Sequence, residues 1–146
     1  MTGTDAVENR AAQLINEASD EIVLVIGDDS LFTPELANIL RDVDEDVDLL
    51  VGALSESLVE EIQAEVPRAK TFISGLEWLR GGDAGTKETA IGRLLLIDRS
   101  TILVSSIVPD SKEEQAIFGE GFGNGLVVIA RRLMAQGLLP VRDPAA

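Results

Sequence analysis

The sequence of 146 residues contains no cysteine and no histidine. Without cysteine it forms no disulfide and has no thiolate nucleophile. Without histidine it lacks the commonest general base and metal ligand, so serine–histidine triads, histidine-ligated zinc and histidine phosphotransfer are excluded. Only chemistry based on carboxylates, lysine or the backbone remains open.

Basic residues are also scarce. Lys and Arg number 12 against 26 Asp and Glu, which gives a net charge of -14, and only Lys70, Lys87 and Lys112 are lysines. Affinity for DNA or RNA needs clustered Lys and Arg, so direct contact of this domain with nucleic acid is disfavoured. The same composition suits concentrated salt, where self-repulsion is screened, and we interpret the chain as halophilic. An ordinary acidic bacterial domain is the alternative.

Long apolar runs are absent as well. No run approaches the roughly 20 residues that cross a bilayer, and no basic start followed by an apolar segment indicates a secretory signal. We therefore expect a cytoplasmic protein that makes no membrane contact. A hydrophobic content of 45% and the length favour one domain over residues 1–146.

Helical and β-branched apolar segments alternate through the first half of the chain. Helices are predicted over about 7–19, 34–43 and 57–66, and strands over about 22–26, 47–51 and 69–73. Thr33 is expected to cap the second helix, and Ser57 with Glu60 to form a capping box for the third. The alternation predicts an α/β fold whose parallel sheet is flanked by helices.

The second half predicts an antiparallel hairpin. Strands over about 91–97 and 101–107 are separated by a tight turn at 98–100, so the sheet becomes mixed. The stretch GEGFGNG at 119–125 then opens a last helix over about 124–136. Its glycines do not match a dinucleotide fingerprint, so close packing or a tight loop is favoured over an anion site.

Asp28 and Asp29 follow the first strand and are similar to the acidic pair that holds magnesium in receiver domains. No phospho-acceptor aspartate ends a later strand, where the sequence is LLVGALS. A solvated turn or a capping pair is therefore favoured, with a weak cation site as the alternative.

The hairpin segment IGRLLLIDRSTILVSS at 91–106 resembles the phospholipase D motif, which is H-x-K-x-x-x-x-D followed by Gly-Ser-x-Asn. The histidine position falls on Ile91, the lysine on Arg93 and the aspartate on Asp98. The Gly-Ser pair falls on Ser105 and Ser106, and the asparagine on Val108. In that family histidine forms the phosphoenzyme and lysine holds the phosphate. Isoleucine does not act as a nucleophile, so the resemblance implies a protein that is not an enzyme and needs no cofactor.

Three further segments extend this resemblance: 8–28, 74–82 (SGLEWLRGG) and 122–140 (FGNGLVVIARRLMAQGLLP). With the hairpin they resemble the C-terminal effector domain of haloarchaeal TrmB-like transcription regulators, whose fold is similar to phospholipase D. The resemblance implies a homodimer that binds a sugar or other small metabolite and reaches DNA only indirectly, through a separate winged-helix domain. Nothing helix-turn-helix-like precedes Val7, so both a fragment and a free-standing sensor stay open.

Three functions follow: a non-catalytic sensor and dimerisation module, a metal-dependent enzyme using carboxylates such as Asp28, Asp29 and Asp98, and a pure dimerisation scaffold. The acidic residues share no metal-ligand spacing, and Asp98 is expected instead to cap the hairpin or to pair with Arg93 or Arg80. The sensor is the leading hypothesis, and no metal is expected.

A ligand pocket is expected outside the carboxyl ends of the parallel strands. The candidate ligand-binding residues are Asp28, Asp29, Ser74, Trp78, Arg80, Arg93 and Asp98. Trp78 either stacks on a sugar or packs on the core, and Arg80 would bind a hydroxyl or a phosphate. The last helix is apolar over more than one face, which favours a dimer interface or deep burial.

Overall fold

A computed structural model describes residues 3–73, 90–107, 114–121 and 123–135. Four helices lie within them, α1 (Thr4–Glu17), α2 (Pro34–Arg41), α3 (Glu56–Glu65) and α4 (Gly125–Ala135), with a 3-10 turn at Asp29–Leu31. The strands are β1 (Glu21–Ile26), β2 (Asp48–Ala53), β3 (Lys70–Ile73), β4 (Ala90–Ile97), β5 (Thr101–Ile107) and β6 (Glu114–Glu120). None of these helices is long and apolar enough to cross a bilayer.

The six strands form one sheet in the order β3-β2-β1-β4-β5-β6. β1, β2 and β3 are parallel, whereas β4, β5 and β6 are joined by antiparallel pairing, and β4 pairs with β1. The predicted mixed α/β sheet flanked by helices is confirmed. The order places β1 at the centre of the sheet, between the parallel and the antiparallel halves.

Both faces of β1 are covered, as its unbroken apolar sequence predicts. Ile22, Leu24 and Ile26 belong to a large core with buried residues of α1, α2 and α3. Val23 and Val25 belong to a smaller core on the other face, which includes residues of β4 and Val127 of α4. Helices therefore cover both sides of the sheet.

The starts of α2 and α3 show one correct and one wrong prediction of a cap. Thr33 Oγ1 accepts from Leu36 N at 3.1 Å, as expected. At α3 the capping residue is Ser55, whose Oγ accepts from Leu58 N at 3.3 Å. The box of Ser57 and Glu60 was wrong because the helix begins at Glu56, and Ser55 is the residue with extended backbone before it.

β6 was not predicted. Its residues EQAIFGE alternate between buried and exposed positions, but only a few of them are large and apolar, so the strand pattern is weak. The end of GEGFGNG is a packed turn. A Cβ on Gly119 would lie 2.5 Å from Asn124 Oδ1, Gly121 has a φ of 95°, and Asn124 Oδ1 accepts from Leu126 N at the start of α4. These contacts support the close-packing interpretation.

Candidate functional site

A buried ion pair lies at the edge of the sheet where the parallel strands end. Arg93 of β4 is opposite Ile26, the last residue of β1. Its side chain is 2% exposed and that of Glu114 at the start of β6 is 0% exposed. Arg93 Nε donates to Glu114 Oε2 at 2.8 Å, and Nη2 donates to Oε1 at 2.9 Å. This is the bidentate geometry in which arginine binds carboxylates most strongly.

Three strands build this ion pair. The β4–β5 register shifts between Ile91 and Leu94, and within that irregularity Arg93 N donates to Ser105 Oγ at 2.9 Å. Gly92 is required there, because a Cβ at this position would lie 2.7 Å from Ser105 Oγ and 3.3 Å from Glu114 Oε2. Two motif positions, Arg93 and Ser105, are thus brought together with a carboxylate that the motif does not contain.

One nitrogen of the Arg93 guanidinium makes no hydrogen bond to the described residues. Among the residues that the structure describes, Arg93 Nη1 is buried and has no hydrogen-bond partner. A buried donor without an acceptor costs about 1–3 kcal/mol, and more when it is charged. Such an atom therefore marks a place where an acceptor oxygen would be stabilised.

Asp28 lies at this same edge, two residues after β1. Its Oδ1 accepts from Ser30 N at 2.9 Å and from Ser30 Oγ at 2.6 Å, as expected of a residue that caps a turn. Asp29 begins the following 3-10 turn. Within the described part of the chain, no group of three or more acidic residues is arranged to hold a metal ion.

Asp98 lies at the opposite edge of the sheet, at the β4–β5 turn. Asp98 N donates to Glu21 O at the start of β1, and the six residues of β1 separate this edge from Asp28 by about 20 Å. The side-chain oxygens accept from Ser19 N, Ser19 Oγ, Asp20 N and Glu21 N at 2.8–3.1 Å. Asp98 therefore belongs to a separate site.

These hydrogen bonds change the acidity of Asp98. Burial raises its pKa, but the backbone N–H groups of Glu21, Ser19 and Asp20 and the Ser19 hydroxyl together outweigh that effect, so the pKa lies below its ordinary value of 3.8. The carboxylate is the better acceptor, and these donors stabilise it relative to the acid.

An acidic cleft that the sequence did not predict surrounds Asp98. It has a volume of about 350 Å³ and is lined by Asp20, Glu21, Asp46, Asp48, Asp98 and Arg99. Arg99 Nε donates to Glu21 Oε1 at 3.0 Å, and this hydrogen bond raises the pKa of Arg99. Adjacent parallel strands begin at a common edge, so pairing β1 with β2 would have indicated that these acidic residues converge.

The structure thus divides the predicted ligand site. Arg93 and Asp28 share the carboxyl edge, whereas Asp98 does not. The alternative metal site of Asp28, Asp29 and Asp98 was wrong, because β1 separates Asp98 from the other two. Asp98 does not pair with Arg93, which binds Glu114 instead. Ser74, Trp78 and Arg80 lie outside the described residues.

The described side chains of the last helix differ in burial. Val127 is fully buried, whereas Ile129 is 58% exposed. Ile117 of β6, also 58% exposed, pairs with Val104, which packs on the same face of the sheet as Val127. Two large apolar side chains are therefore exposed on the side of the sheet that carries α4.

The chain matches no protein-family model and no curated protein. Among the solved structures that resemble it are TrmBL2 and NucT. TrmBL2, described as an archaeal chromatin protein with a novel mode of DNA binding, has a TM-score of 0.59 at 14% identity, covering 94% of this chain and 50% of that one. NucT from Helicobacter pylori has a TM-score of 0.60 at 12% identity, covering 93% of this chain and 94% of that one. This chain therefore spans half the length of TrmBL2 and shares with both proteins the fold of a mixed sheet flanked by helices.

Proposed function

We propose that the chain is a non-catalytic effector and dimerisation domain of a TrmB-like transcription regulator, which binds a sugar or another small metabolite. The observation that carries the proposal is the buried Arg93–Glu114 pair at the carboxyl edge of the parallel strands, where ligands bind in open α/β sheets. Its Nη1 donor lacks an acceptor among the described residues. The fold likeness to TrmBL2 is compatible with a role in regulation.

The absence of catalysis is part of the proposal. Isoleucine stands where the resemblance places the nucleophile, and Arg93 is already engaged by Glu114. Asp98 is hydrogen-bonded at the other edge of the sheet. We expect purified protein to cleave neither phosphodiesters nor phospholipids, and turnover that disappears on replacing Arg93 would contradict this.

Contact with DNA is proposed to be indirect, through a winged-helix domain of the same or a partner chain. The net charge of -14 disfavours binding to phosphate backbones. A cytoplasmic location and a halophilic archaeal origin belong to the same proposal, and the lysine-poor, acidic composition supports the halophilic origin. Ile117 and Ile129 on the α4 side support the homodimer.

A thermal-shift screen in molar KCl tests ligand binding. We expect a neutral sugar or polyol to raise the melting temperature of the wild-type protein. The rise should be lost in Arg93→Lys, because one ammonium group does not both replace the two hydrogen bonds to Glu114 and present a donor at the position of Nη1. It should persist in Arg41→Lys, a matched change at an exposed ion pair with Glu65. Stabilisation by divalent cations alone would favour an enzyme, and no stabilisation by any compound would favour a scaffold without a ligand.

A further inference from the structure

We infer that Glu114 is a built-in counter-anion for Arg93, so that a ligand at this edge of the sheet is an uncharged molecule with oxygen acceptors, not a phosphate or a carboxylate. That a ligand binds here rests on the proposed function. The role of Glu114 as counter-anion is independent of it, because it follows from the contacts within the chain.

Glu114 occupies one of the two edges through which a guanidinium binds oxyanions in bidentate geometry. Arginine binds carboxylate and phosphate alike through two parallel N–H donors, and both Nε and Nη2 are committed to Glu114 at 2.8 and 2.9 Å. An incoming oxyanion would have to displace this carboxylate or lie beside it. Displacement is unfavourable because the Glu114 carboxylate, as part of the same chain, has a high effective concentration at Arg93. Binding beside Glu114 is unfavourable because the two negative charges repel.

The backbone around Glu114 keeps its carboxylate in place. Glu114 pairs with Ile107 in the β5–β6 ladder, and its carbonyl oxygen accepts from Gly3 N at 2.8 Å, next to α1. Its side chain is fully buried. Because the backbone of Glu114 is fixed and its side chain is buried, a competing anion does not displace its carboxylate from the guanidinium.

Arg93 Nη1 is the guanidinium nitrogen without a hydrogen-bond partner among the described residues, and we assign it to the ligand. The charge of the guanidinium is balanced by Glu114, so Nη1 acts as a hydrogen-bond donor within a neutral pair. Hydroxyl and carbonyl oxygens are sufficient acceptors for it. The net charge of -14 further disfavours anionic ligands.

Replacing Glu114 with glutamine tests the counter-anion. Glu114→Gln leaves the arginine charge unbalanced, and we expect the variant to gain a sulfate site. At sulfate concentrations near 100 times Kd, its melting temperature should rise by roughly 5–10 °C more than that of wild type, at ionic strength matched with KCl. Glu120→Gln removes the same charge from an exposed position of β6 and should respond like wild type. An equal response of the two variants would overturn the inference.

A measurement on the wild-type protein covers the case in which Glu114→Gln does not fold. The Nε–H resonance of Arg93, assigned by its loss in Arg93→Lys, should not shift as inorganic phosphate is added. A saturable shift would show that the fork accepts an external anion and would refute the role of Glu114.

The class of ligand is tested by comparing neutral sugars with the corresponding sugar phosphates in the wild-type protein. Stabilisation by a sugar and not by its phosphate supports the inference, whereas stronger stabilisation by the phosphate contradicts it. If neither stabilises, the proposed function fails, and the sulfate and resonance measurements still decide whether Glu114 is the counter-anion.

Discussion

Asp98 Oδ1 lies 2.8 Å from the backbone nitrogen of Asp20, although the two residues are 78 positions apart in the sequence. Together with the bonds from Ser19 and Glu21, this contact attaches the β4–β5 turn to the junction between α1 and β1. The turn itself requires positive φ at Asp98 and Arg99, of 52° and 59°, a combination typical of type I′ hairpin turns. Hydrogen bonds to the charged side chain offset the cost of this backbone conformation.

Asp98→Ala should therefore destabilise the protein by about 1–3 kcal/mol, because the backbone N–H groups of Ser19, Asp20 and the part-buried Glu21 lose a charged acceptor. Urea unfolding in molar KCl measures the change. Asp46→Ala is the matched control, since it removes a charge from the same cleft at an exposed position. Equal changes in the two variants would mean that only charge repulsion, and not anchoring, is affected.

Asp98 should also make stability depend on pH. Its pKa is lower in the folded protein than the ordinary value of 3.8, so the unfolded state binds the proton more readily. The contribution is fully present above the unfolded pKa and is lost as the pH falls through the folded pKa. We expect the free energy of unfolding to decline less steeply below about pH 4 in Asp98→Asn than in wild type. Parallel pH profiles would contradict this.

Removing one partner of the buried Arg93–Glu114 pair should lower the free energy of unfolding more than replacing both partners with apolar residues. Arg93→Met leaves the Glu114 carboxylate buried without its partner and should cost about 3–5 kcal/mol. The double replacement Arg93→Met with Glu114→Leu should recover most of this loss, because no unpaired charge remains. A double-mutant cycle by urea unfolding measures the coupling. A double variant no more stable than Arg93→Met would show that the pair is not the energetic unit.

Salt should stabilise the protein. With a net charge of -14, repulsion among surface carboxylates is strong in dilute buffer. The Debye screening length falls from about 10 Å at 0.1 M salt to about 3 Å at 1 M. The melting temperature should rise with KCl over this range. NaCl at the same concentrations should have a similar effect if screening is the cause, and a flat profile would remove the argument for a halophilic protein.

The proposed homodimer predicts a particle of twice the 15.6 kDa chain mass by light scattering at micromolar concentration in molar KCl. Ile129→Glu should yield monomers, because it places a charge at an exposed apolar position of α4. Ile73→Glu is the control, since Ile73 is 52% exposed but lies on β3 at the other edge of the sheet. A monomeric wild-type protein would refute the dimer.

Local sequence signals were sufficient to predict the helices and strands whose structure is determined by one segment of the chain. The apolar run of β1, the Thr33–Pro34 helix start and the strands on either side of the β4–β5 turn all have such signals, and the sheet was predicted correctly as mixed. β6 was missed because its pattern contains few large apolar residues, and Ser55 was missed because Ser57 fits the same capping pattern two residues later.

The contacts of the candidate site could not be predicted from local sequence, because they join residues that are far apart along the chain. Nothing next to Glu114 in the sequence indicates that it binds Arg93, 21 residues before it. Asp98 was assigned to the wrong edge because its position relative to Asp28 depends on the direction in which β4 crosses β1. Antiparallel pairing of β4 with β1 carries the β4–β5 turn to the amino end of β1.

The central position of β1 also affects the order of folding. β1 is synthesised early, but one of its two neighbours in the sheet is β4, which lies in the second half of the chain. Ile22 of β1 therefore pairs with a residue that is synthesised much later, Ile97. A nascent chain that contains only β1, β2 and β3 has an unpaired apolar edge on β1, which is prone to pair with other chains. Completion of the sheet must wait for β4, so we expect the parallel and antiparallel halves to unfold together in one cooperative transition.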